Sequence, residues 1–348
     1  MRASTALGSA PRIFSSTTTI VYLVFFVVLL LSTVIAASAG RSFFTQGNIS
    51  VLLTSTTVLG FVSIGQTLVI LVGSLDLSVP FLVSIASVLS AGVMAGQSAN
   101  MASGIATALI TTTLIGLVNG LLVGFVKING FIATLSVGLI VSGYLFSNYR
   151  GSTGKAAPAL ASLGEASIGF VPVMTIIMFL CLVATVALLA KTRVGLHIYA
   201  VGGDPAVARM SGIHNAVPII VTHSLSGLFA GIAGLVIVAR LGVGSPGVGE
   251  QGGYDLLSIA AVVLGGAVLA GGRGSLWGSL GGILIFATLD SVMGIMQLNP
   301  YLKDVVRGLI IIMAVAVYAR SSIPRTTFRF PVASEGRRAS VSTARGEL

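Results

Sequence analysis

One polar interval interrupts an otherwise apolar chain: residues 191–218 read KTRVGLHIYAVGGDPAVARMSGIHNAVP. Within it, Gly202-Gly203 predicts a flexible turn, Asp204 can cap the N-terminus of a helix, and Pro205 suits the first helical position. Gly212 is a favourable stop at the C-terminus. The interval therefore predicts a helix of about two turns, which is too short to be stable alone in water. We expect this helix to dock against another surface.

The composition of the chain is that of a polytopic membrane protein. Of its 348 residues, 55% are hydrophobic and only 8% are charged, whereas soluble domains carry about 25% charged residues. The net charge of +10 does not indicate nucleic-acid binding, because the basic residues flank hydrophobic stretches and form no patch interleaved with aromatic residues. The single cysteine, Cys181, excludes an intrachain disulfide.

The spacing of charged residues predicts about ten transmembrane helices in an all-α fold, since one span needs about 20 apolar residues. We expect residues 1–16 to form an N-terminal tail, 17–320 the membrane domain, and 321–348 a disordered basic tail. The stretch 149–169 is predicted to be a loop. The predicted spans are 17–39, 49–72, two between Asp76 and Lys127 that part near 97–100, 131–148, 172–190, 217–239, 255–270, 275–296 and 302–319.

The N-terminal apolar run has two interpretations. Ala37-Ser38-Ala39 resembles a signal-peptide cleavage site, and Arg2 and Arg12 precede the run. The run is longer than a usual signal core, however, and it begins a chain full of similar spans. We expect an uncleaved first helix.

The distribution of basic residues predicts the orientation. Most of the 19 Lys and Arg residues lie in the two tails and in one set of loops, so the positive-inside rule places both termini and the loop 191–217 in the cytoplasm. The second set of loops contains only Arg41, Arg150, Lys155, Arg240 and Lys303.

A short motif recurs five spans apart. GSLDL at 73–77 and GGYDL at 252–256 share G-x-x-D-L, and the predicted topology places them on opposite sides of the membrane. An inverted five-plus-five repeat would leave this pattern, although matches of this length also arise by chance in sequences rich in Gly and Leu.

Few residues indicate catalysis. His197, His214 and His223 lack metal-ligand spacing with a carboxylate partner. GVGSPG at 242–247 matches G-x-G-x-x-G but follows a membrane span, where a dinucleotide site is not expected. The chain has no G-x-x-x-x-G-K-[ST] motif, so ATP hydrolysis would belong to another polypeptide. The sequence therefore predicts a protein without enzymatic activity, cofactor or metal.

Ionisable residues inside membrane spans are functional candidates. Asp76 can either cap the helix that follows it or contact a solute. Asp290 lies well inside span nine and is the best candidate for a buried working carboxylate. Asp304 and Arg307 are i, i+3 on one helix face and are expected to pair locally. Ion-coupled carriers usually need more buried charges than these, which argues against such a carrier.

Two further patterns concern the spans themselves. Asn119, with Asn129, Phe131 and Thr134 around the next turn, can line a polar path for a hydroxylated solute. Small residues at four-residue spacing predict close helix packing within the chain, with a dimer interface as the alternative. These glycines are Gly116, Gly120, Gly124, Gly227, Gly231, Gly274, Gly278 and Gly282.

From about residue 48 to 317 the chain closely resembles the ribose/xylose-type sugar permeases of bacterial ABC importers. Four motifs carry the resemblance: GSLDLSVP at 73–80, NGLLVGFVKINGFIATLSV at 119–137, YAVGGDPAVARMSGI at 199–213, and IAAVVLGGAVLAGGRGSLWGSLGG at 259–282.

The resemblance implies that the short helix is a coupling helix, which inserts into a groove on a cytoplasmic ABC ATPase. It also implies a second permease chain, identical or not, and a periplasmic sugar-binding protein, all at the bacterial inner membrane. The expected coupling residues are Asp204, Pro205, Ala206, Val207, Ala208, Arg209, Met210 and Gly212. The expected path for the sugar involves Asp76, Asn119, Phe131, Thr134 and Asp290.

Alternatives remain at this point. An ABC permease for branched-chain amino acids, a signalling furanose or another small polar solute would have the same architecture. An ion-coupled secondary carrier would work without an ATPase. A membrane-embedded enzyme has no nucleophile or metal constellation to support it.

Overall fold

The computed structural model describes residues 16–322 of the chain. The predicted tails, 1–16 and 321–348, lie outside this range except for Ser16, Ser321 and Ser322, which are at helix ends.

The described part of the chain is mostly helical, with one small β-hairpin and a 3₁₀ turn at Ser98–Asn100. The hairpin pairs β1 (Ser167–Ile168) with β2 (Val171–Pro172) in antiparallel register. The helices are α1 (Ser16–Ser38), α2 (Gln46–Leu71), α3 (Val79–Met94), α4 (Met101–Gly124), α5 (Gly130–Asn148), α6 (Pro158–Glu165), α7 (Val173–Lys191), α8 (Arg193–Gly203), α9 (Pro205–Met210), α10 (Ala216–Leu241), α11 (Val248–Gly252), α12 (Tyr254–Leu264), α13 (Leu276–Ile295) and α14 (Pro300–Ser322).

Within residues 16–322, seven helices are long and apolar enough to cross a membrane: α1, α2, α4, α5, α7, α10 and α13. Each coincides with a predicted span. The polytopic membrane character of the chain is thereby confirmed. α3 is apolar but has only 16 residues, and α14 has 23 residues but is not among the seven.

The span predicted at 255–270 is wrong in its length. α12 has 11 residues, about 16 Å at 1.5 Å per residue, which is about half of a 30 Å hydrocarbon core. The helix ends because a glycine-rich loop follows, in which Gly266, Gly271 and Gly272 have left-handed φ angles of 91°, 93° and 70°. Such angles are strained for residues that carry a Cβ.

The loop predicted at 149–169 contains more structure than expected. It includes α6, with Pro158 at its first position, and ends in β1 of the hairpin. Thr153 forms an isolated antiparallel bridge with Gly244. Apolar residues such as Leu160, which is 3% exposed, hold this segment against the helices.

The prediction of a turn at Gly202-Gly203 is also wrong, because these residues form the last turn of α8. This helix was not expected from the sequence. Its first turn is capped by Thr192, whose hydroxyl accepts a hydrogen bond from the Gly195 amide at 3.2 Å. The polar interval therefore folds as two short helices, α8 and α9, that meet at Asp204.

The core is centred on α10, which packs on α2, α3 and α4. Glycines make the contact between α4 and α10 close: a Cβ on Gly116 would clash with the His223 carbonyl, and one on Gly227 with the Thr112 carbonyl. Gly278 and Gly282 lie equally close to Gly265 and Ala261 of the α12 segment. The prediction of packing within the chain is confirmed at these contacts.

Candidate functional site

The first candidate site is the break between α2 and α3. α2 ends at Leu71, Gly73 turns the chain with a φ of 79°, and residues 74–78 continue without helical structure until α3 begins. Asp76 and Ser78 in this segment are fully buried. Non-helical backbone at membrane depth is tolerated where protein surrounds and satisfies it, and α4, α5 and α10 supply the side chains that do so here.

The Asp76 carboxylate is fully engaged in hydrogen bonds. Its Oδ1 accepts bonds from the Ser78 amide at 3.0 Å and from the Ser78 hydroxyl at 2.5 Å. Its Oδ2 accepts a bond from the Ser226 hydroxyl of α10 at 2.7 Å, and His223 Nδ1 lies 4.0 Å away. Such bonds offset the high cost of burying a carboxylate. The predicted helix cap is not formed as such, because the carboxylate bonds to the residue before α3 rather than to an amide within it.

Further polar side chains extend this arrangement. Asn119 of α4 donates to the Ser78 hydroxyl at 2.8 Å, and Ser74 bonds to Nε2 of His223 at 3.0 Å. Thr134 of α5 accepts a hydrogen bond from the Leu77 amide at 2.9 Å. We call this set the Asp76 cluster: Ser74, Asp76, Ser78, Asn119, Thr134, His223 and Ser226.

Only part of this cluster is predictable from the sequence. Asp76, Asn119 and Thr134 are among the predicted path residues, and the structure brings these three together. The serines were not predicted, and the interpretation of His223 as a polar group near a helix end is wrong, since it is fully buried eight residues into α10. The sequence pattern that could have indicated these residues is the i, i+3 spacing of His223 and Ser226, which places both on one face of a glycine-rich helix.

The other two predicted path residues lie elsewhere. Phe131 is 49% exposed at the start of α5, where the Asn129 side chain accepts a hydrogen bond from its amide at 2.9 Å. Asp290 lines a separate cavity of about 290 Å³ between the first half of α2, the end of α10, and α11 to α14. In that cavity Asp290 pairs with Arg307 at 2.5 Å, and Arg307 also pairs with Asp304 at 3.0 Å, as predicted for the i, i+3 pair.

The second candidate site is α9, and its capping matches the sequence prediction. The Asp204 carboxylate accepts hydrogen bonds from the Ala206 and Val207 amides at 2.8 and 3.1 Å. Pro205 occupies the first helical position, and Gly212 has a left-handed φ of 83° just after the helix. The Asn215 side chain donates to the Pro205 carbonyl at 2.8 Å and closes the segment.

The exposure of α9 residues identifies its free face. Met210 is 89% exposed and Val207 57% exposed, while Asp204, Pro205, Ala206 and Arg209 are also exposed. Ala208, by contrast, is 3% exposed and contacts the chain itself. Large apolar side chains left in solvent on a short, rigidly capped helix are typical of a surface that meets a partner.

α8 connects this helix to the interior. A Cβ on Gly202 would clash with the Leu71 carbonyl at the end of α2, and the same carbonyl accepts a hydrogen bond from the Gly272 amide at 2.9 Å. The Tyr199 hydroxyl donates to the Gly274 carbonyl at 3.1 Å. We call this close contact of α8, the end of α2 and the 271–274 loop the Gly202 junction. Leu71 lies two residues before Gly73, where the break that holds the Asp76 cluster begins.

These features are those of a multi-pass membrane permease, and comparison with known proteins identifies its family. Residues 48–315 match the family described as branched-chain amino acid transport system / permease component, and the chain belongs to that family. The resemblance to sugar permeases is confirmed as well, by the following relatives.

The chain is 37% identical to the ribose import permease protein RbsC of Escherichia coli K12, over 79% of this chain and 87% of the relative. It is 32% identical to the fructose import permease protein FrcC of Rhizobium meliloti, over 80% and 79%. With the galactose/methyl galactoside import permease protein MglC of Salmonella typhimurium LT2 it shares 30% identity, over 80% and 89%. No solved structure matches the chain significantly.

Proposed function

We propose that this chain is the inner-membrane permease subunit of a bacterial ABC importer and forms the path for a monosaccharide of the pentose or hexose class. The observation that carries the proposal is its similarity to import permeases for ribose, fructose and galactose over about four fifths of its length. The chain itself is expected to have no enzymatic activity and no cofactor, with a separate ATPase supplying the energy.

The exposed face of α9 is the proposed contact with the cytoplasmic ATPase. Its apolar part is Val207 and Met210, and Arg209 adds a charge. Ala208 is also among the coupling residues expected from the sequence, but its side chain packs against the rest of the permease. It would therefore hold α9 in place and not contact the ATPase. Asp204 and Gly212 set the two ends of the helix. Motion of the ATPase would reach the Asp76 cluster through the Gly202 junction.

The proposed topology has ten spans, with both termini and the loop 191–217 in the cytoplasm. To the seven long apolar helices it adds α3 and α14, and it counts α12 together with the glycine-rich loop after it as the remaining span, since α12 alone is too short to cross the membrane. The packing order supports an inverted repeat of two four-helix sets. In this repeat α2, α3, α4 and α5 correspond in order to α10, α12, α13 and α14. α10 packs on α3 and α4 as α2 packs on α12 and α13, and α3 packs on α5 as α12 packs on α14.

The proposed partners are a cytoplasmic ABC ATPase, a periplasmic sugar-binding protein and a second permease chain, identical or different. Rigid-body movement of such chains would alternate access to the path between the two sides of the membrane. Asp76, Asn119, Phe131, Thr134 and Asp290 remain the proposed path residues. Asp76, Asn119 and Thr134 would act at the break between α2 and α3, and Asp290 at the outer end of the path.

The test is uptake by cells that express the chain with its native neighbouring subunits. Radiolabelled D-ribose, D-fructose and D-galactose are supplied in parallel, with L-leucine as a second candidate because of the family description. Uptake of a sugar that stops on ATP depletion but survives an uncoupler under maintained ATP supports the proposal. Uptake that stops only with the uncoupler, or uptake of leucine alone, contradicts it.

A further inference from the structure

The cavity that contains Asp290 is far from the Gly202 junction. Thr54 and Ser55 of α2 line the cavity, and Leu71 at the other end of α2 forms the junction. Because 16 or 17 residues of helix separate them, the distance is about 25 Å. If α9 faces the cytoplasm, as proposed above, this cavity lies on the outer side of the membrane.

The lining of the cavity combines apolar side chains with several polar and charged ones. Its hydrogen-bonding groups belong to Arg240, Gln251, Tyr254, Asp290 and Arg307. Its volume of about 290 Å³ is just below the roughly 300–1,000 Å³ found for small-molecule sites. A few convergent polar groups in a concave site of this size are typical of ligand binding.

Three of these side chains, those of Arg240, Gln251 and Tyr254, have no hydrogen-bond partner among the described residues. The Arg240 guanidinium, at the end of α10, and the Gln251 amide, in α11, line this cavity and are exposed to solvent, so both are free to bond to a ligand. Arg307, in contrast, is held between Asp290 and Asp304. Arg240 has five N–H donors, and Gln251 offers both a donor and an acceptor.

We propose that this cavity is a binding site for a neutral monosaccharide on its way into the path, an inference that rests on the proposed function. Vicinal hydroxyls are at once donors and acceptors, and the cavity offers both: N–H groups of Arg240 and Gln251, and the carboxylate of Asp290. The ring of Tyr254 provides an amphipathic wall. The charges of Arg240 and Arg307 are balanced by those of Asp290 and Asp304, so the site offers no net positive charge to a carboxylate or phosphate ligand, whereas a neutral hydroxylated ring can bond to both signs of charge.

The site is probed by cysteine protection in the full-length chain in nanodiscs. Cys181, the single natural cysteine, is replaced by Ser, and Ser55→Cys places a thiol in the cavity lining. The rate of labelling by a membrane-impermeant maleimide is then measured with D-ribose, D-fructose or D-galactose. Sucrose at equal osmolality is the size control, and Ser42→Cys, exposed in the loop before α2, is the position control.

We expect a saturating monosaccharide to slow labelling of Ser55→Cys at least fivefold, with no effect of sucrose and none at Ser42→Cys. Asp290→Asn and Arg240→Gln should each raise the half-protecting concentration by roughly tenfold, as expected for one lost bond to a charged group. Asp304→Asn, which removes the other partner of Arg307 but does not line the cavity, should leave protection unchanged.

The outcomes separate this inference from the proposed function. If cells import one of the three sugars by the ATP-dependent route but that sugar does not protect Ser55→Cys, the site is overturned and the importer assignment stands. The site would also be overturned if Asp304→Asn and Asp290→Asn raised the half-protecting sugar concentration equally. The effect would then come from the loss of either ion pair of Arg307 and not from a lost bond to the sugar. If no sugar is imported and no sugar slows labelling of Ser55→Cys, the importer assignment and the proposed site are both wrong.

Discussion

Gly202 packs so closely against Leu71 that any Cβ at position 202 would clash with the Leu71 carbonyl oxygen. The contact joins the last turn of α8 to the end of α2, and the Leu71 carbonyl is held from the other side by the Gly272 amide at 2.9 Å. A displacement of α8 towards α2 would therefore push directly on the end of α2. If α9 binds the ATPase as proposed, its motion would reach the Asp76 cluster through this contact between backbone atoms.

Gly202→Ala should sharply reduce transport, because the added methyl group forces α8 away from α2. Its neighbour provides a matched control, since a Cβ on Gly203 would meet nothing within 4 Å. We expect sugar uptake to fall at least tenfold in Gly202→Ala and to change less than twofold in Gly203→Ala, at equal amounts of protein in the membrane. Equal uptake by the two variants would contradict a role for the Gly202 junction.

Met210→Glu should release the ATPase without unfolding the permease. The side chain is 89% exposed, so the charge costs little in the isolated chain but opposes burial in an apolar groove. Recovery of the ATPase with the affinity-purified permease is the measurement. His214→Glu, exposed in the same loop but outside α9, is the control. Full recovery with Met210→Glu would mean that α9 does not bind the ATPase through this face.

Ala208→Glu should act differently, through the fold of the permease. The side chain is 3% exposed, and burying an unpaired carboxylate there is costly. We expect a reduced amount of protein in the membrane and a lower apparent melting temperature in detergent, measured by fluorescence-detected gel filtration. A protein of normal amount and melting temperature would show that Ala208 is accessible, contrary to its position in the structure.

Ser226→Ala should destabilise the chain by about 1–3 kcal/mol, because the buried Asp76 carboxylate loses one of its donors. Ser136→Ala removes a hydroxyl that bonds only to a carbonyl of its own helix, at an exposed position, and should have an effect below about 0.5 kcal/mol. Denaturation in mixed micelles measures both. If the two variants unfold alike, the Asp76 cluster does not stabilise the break.

Gly227→Ala should destabilise the contact of α4 and α10 by about 1–3 kcal/mol, the usual range for overpacking, since its Cβ would clash with the Thr112 carbonyl. Gly143→Ala in α5 has open space within 4 Å and should be neutral or slightly stabilising, because alanine favours helix. Thermal unfolding of the two purified variants tests the difference. Equal melting temperatures would contradict so close an approach of the two helices.

Several elements were predictable because they depend on neighbouring residues alone. The cap of α9 needs only Asp204, Pro205 and Gly212, all within one segment, and its geometry is as expected. The seven long spans follow from apolar runs whose length matches the membrane. The pairing of Asp304 with Arg307 follows from helical spacing.

Other elements depend on contacts between distant segments and could not be predicted in this way. Asp76 and Ser226 are 150 positions apart, and no local pattern indicates that the carboxylate accepts a hydrogen bond from that helix. The shortening of α12 depends on the glycine loop packing at the Gly202 junction. Ala208 was expected at the partner surface, but its burial is set by the rest of the chain.

The sequence by itself determined that this is a membrane protein, where most of its spans lie, and that one short capped helix interrupts them. These properties arise from transfer of side chains to an apolar environment and from hydrogen bonds within a few residues, which are both local free energies. Only the tertiary structure decided which polar residues meet in the Asp76 cluster, which line the cavity with Asp290, and which face of α9 stays free. Those outcomes require helices far apart in sequence to pack, and the packing depends on the whole chain at once.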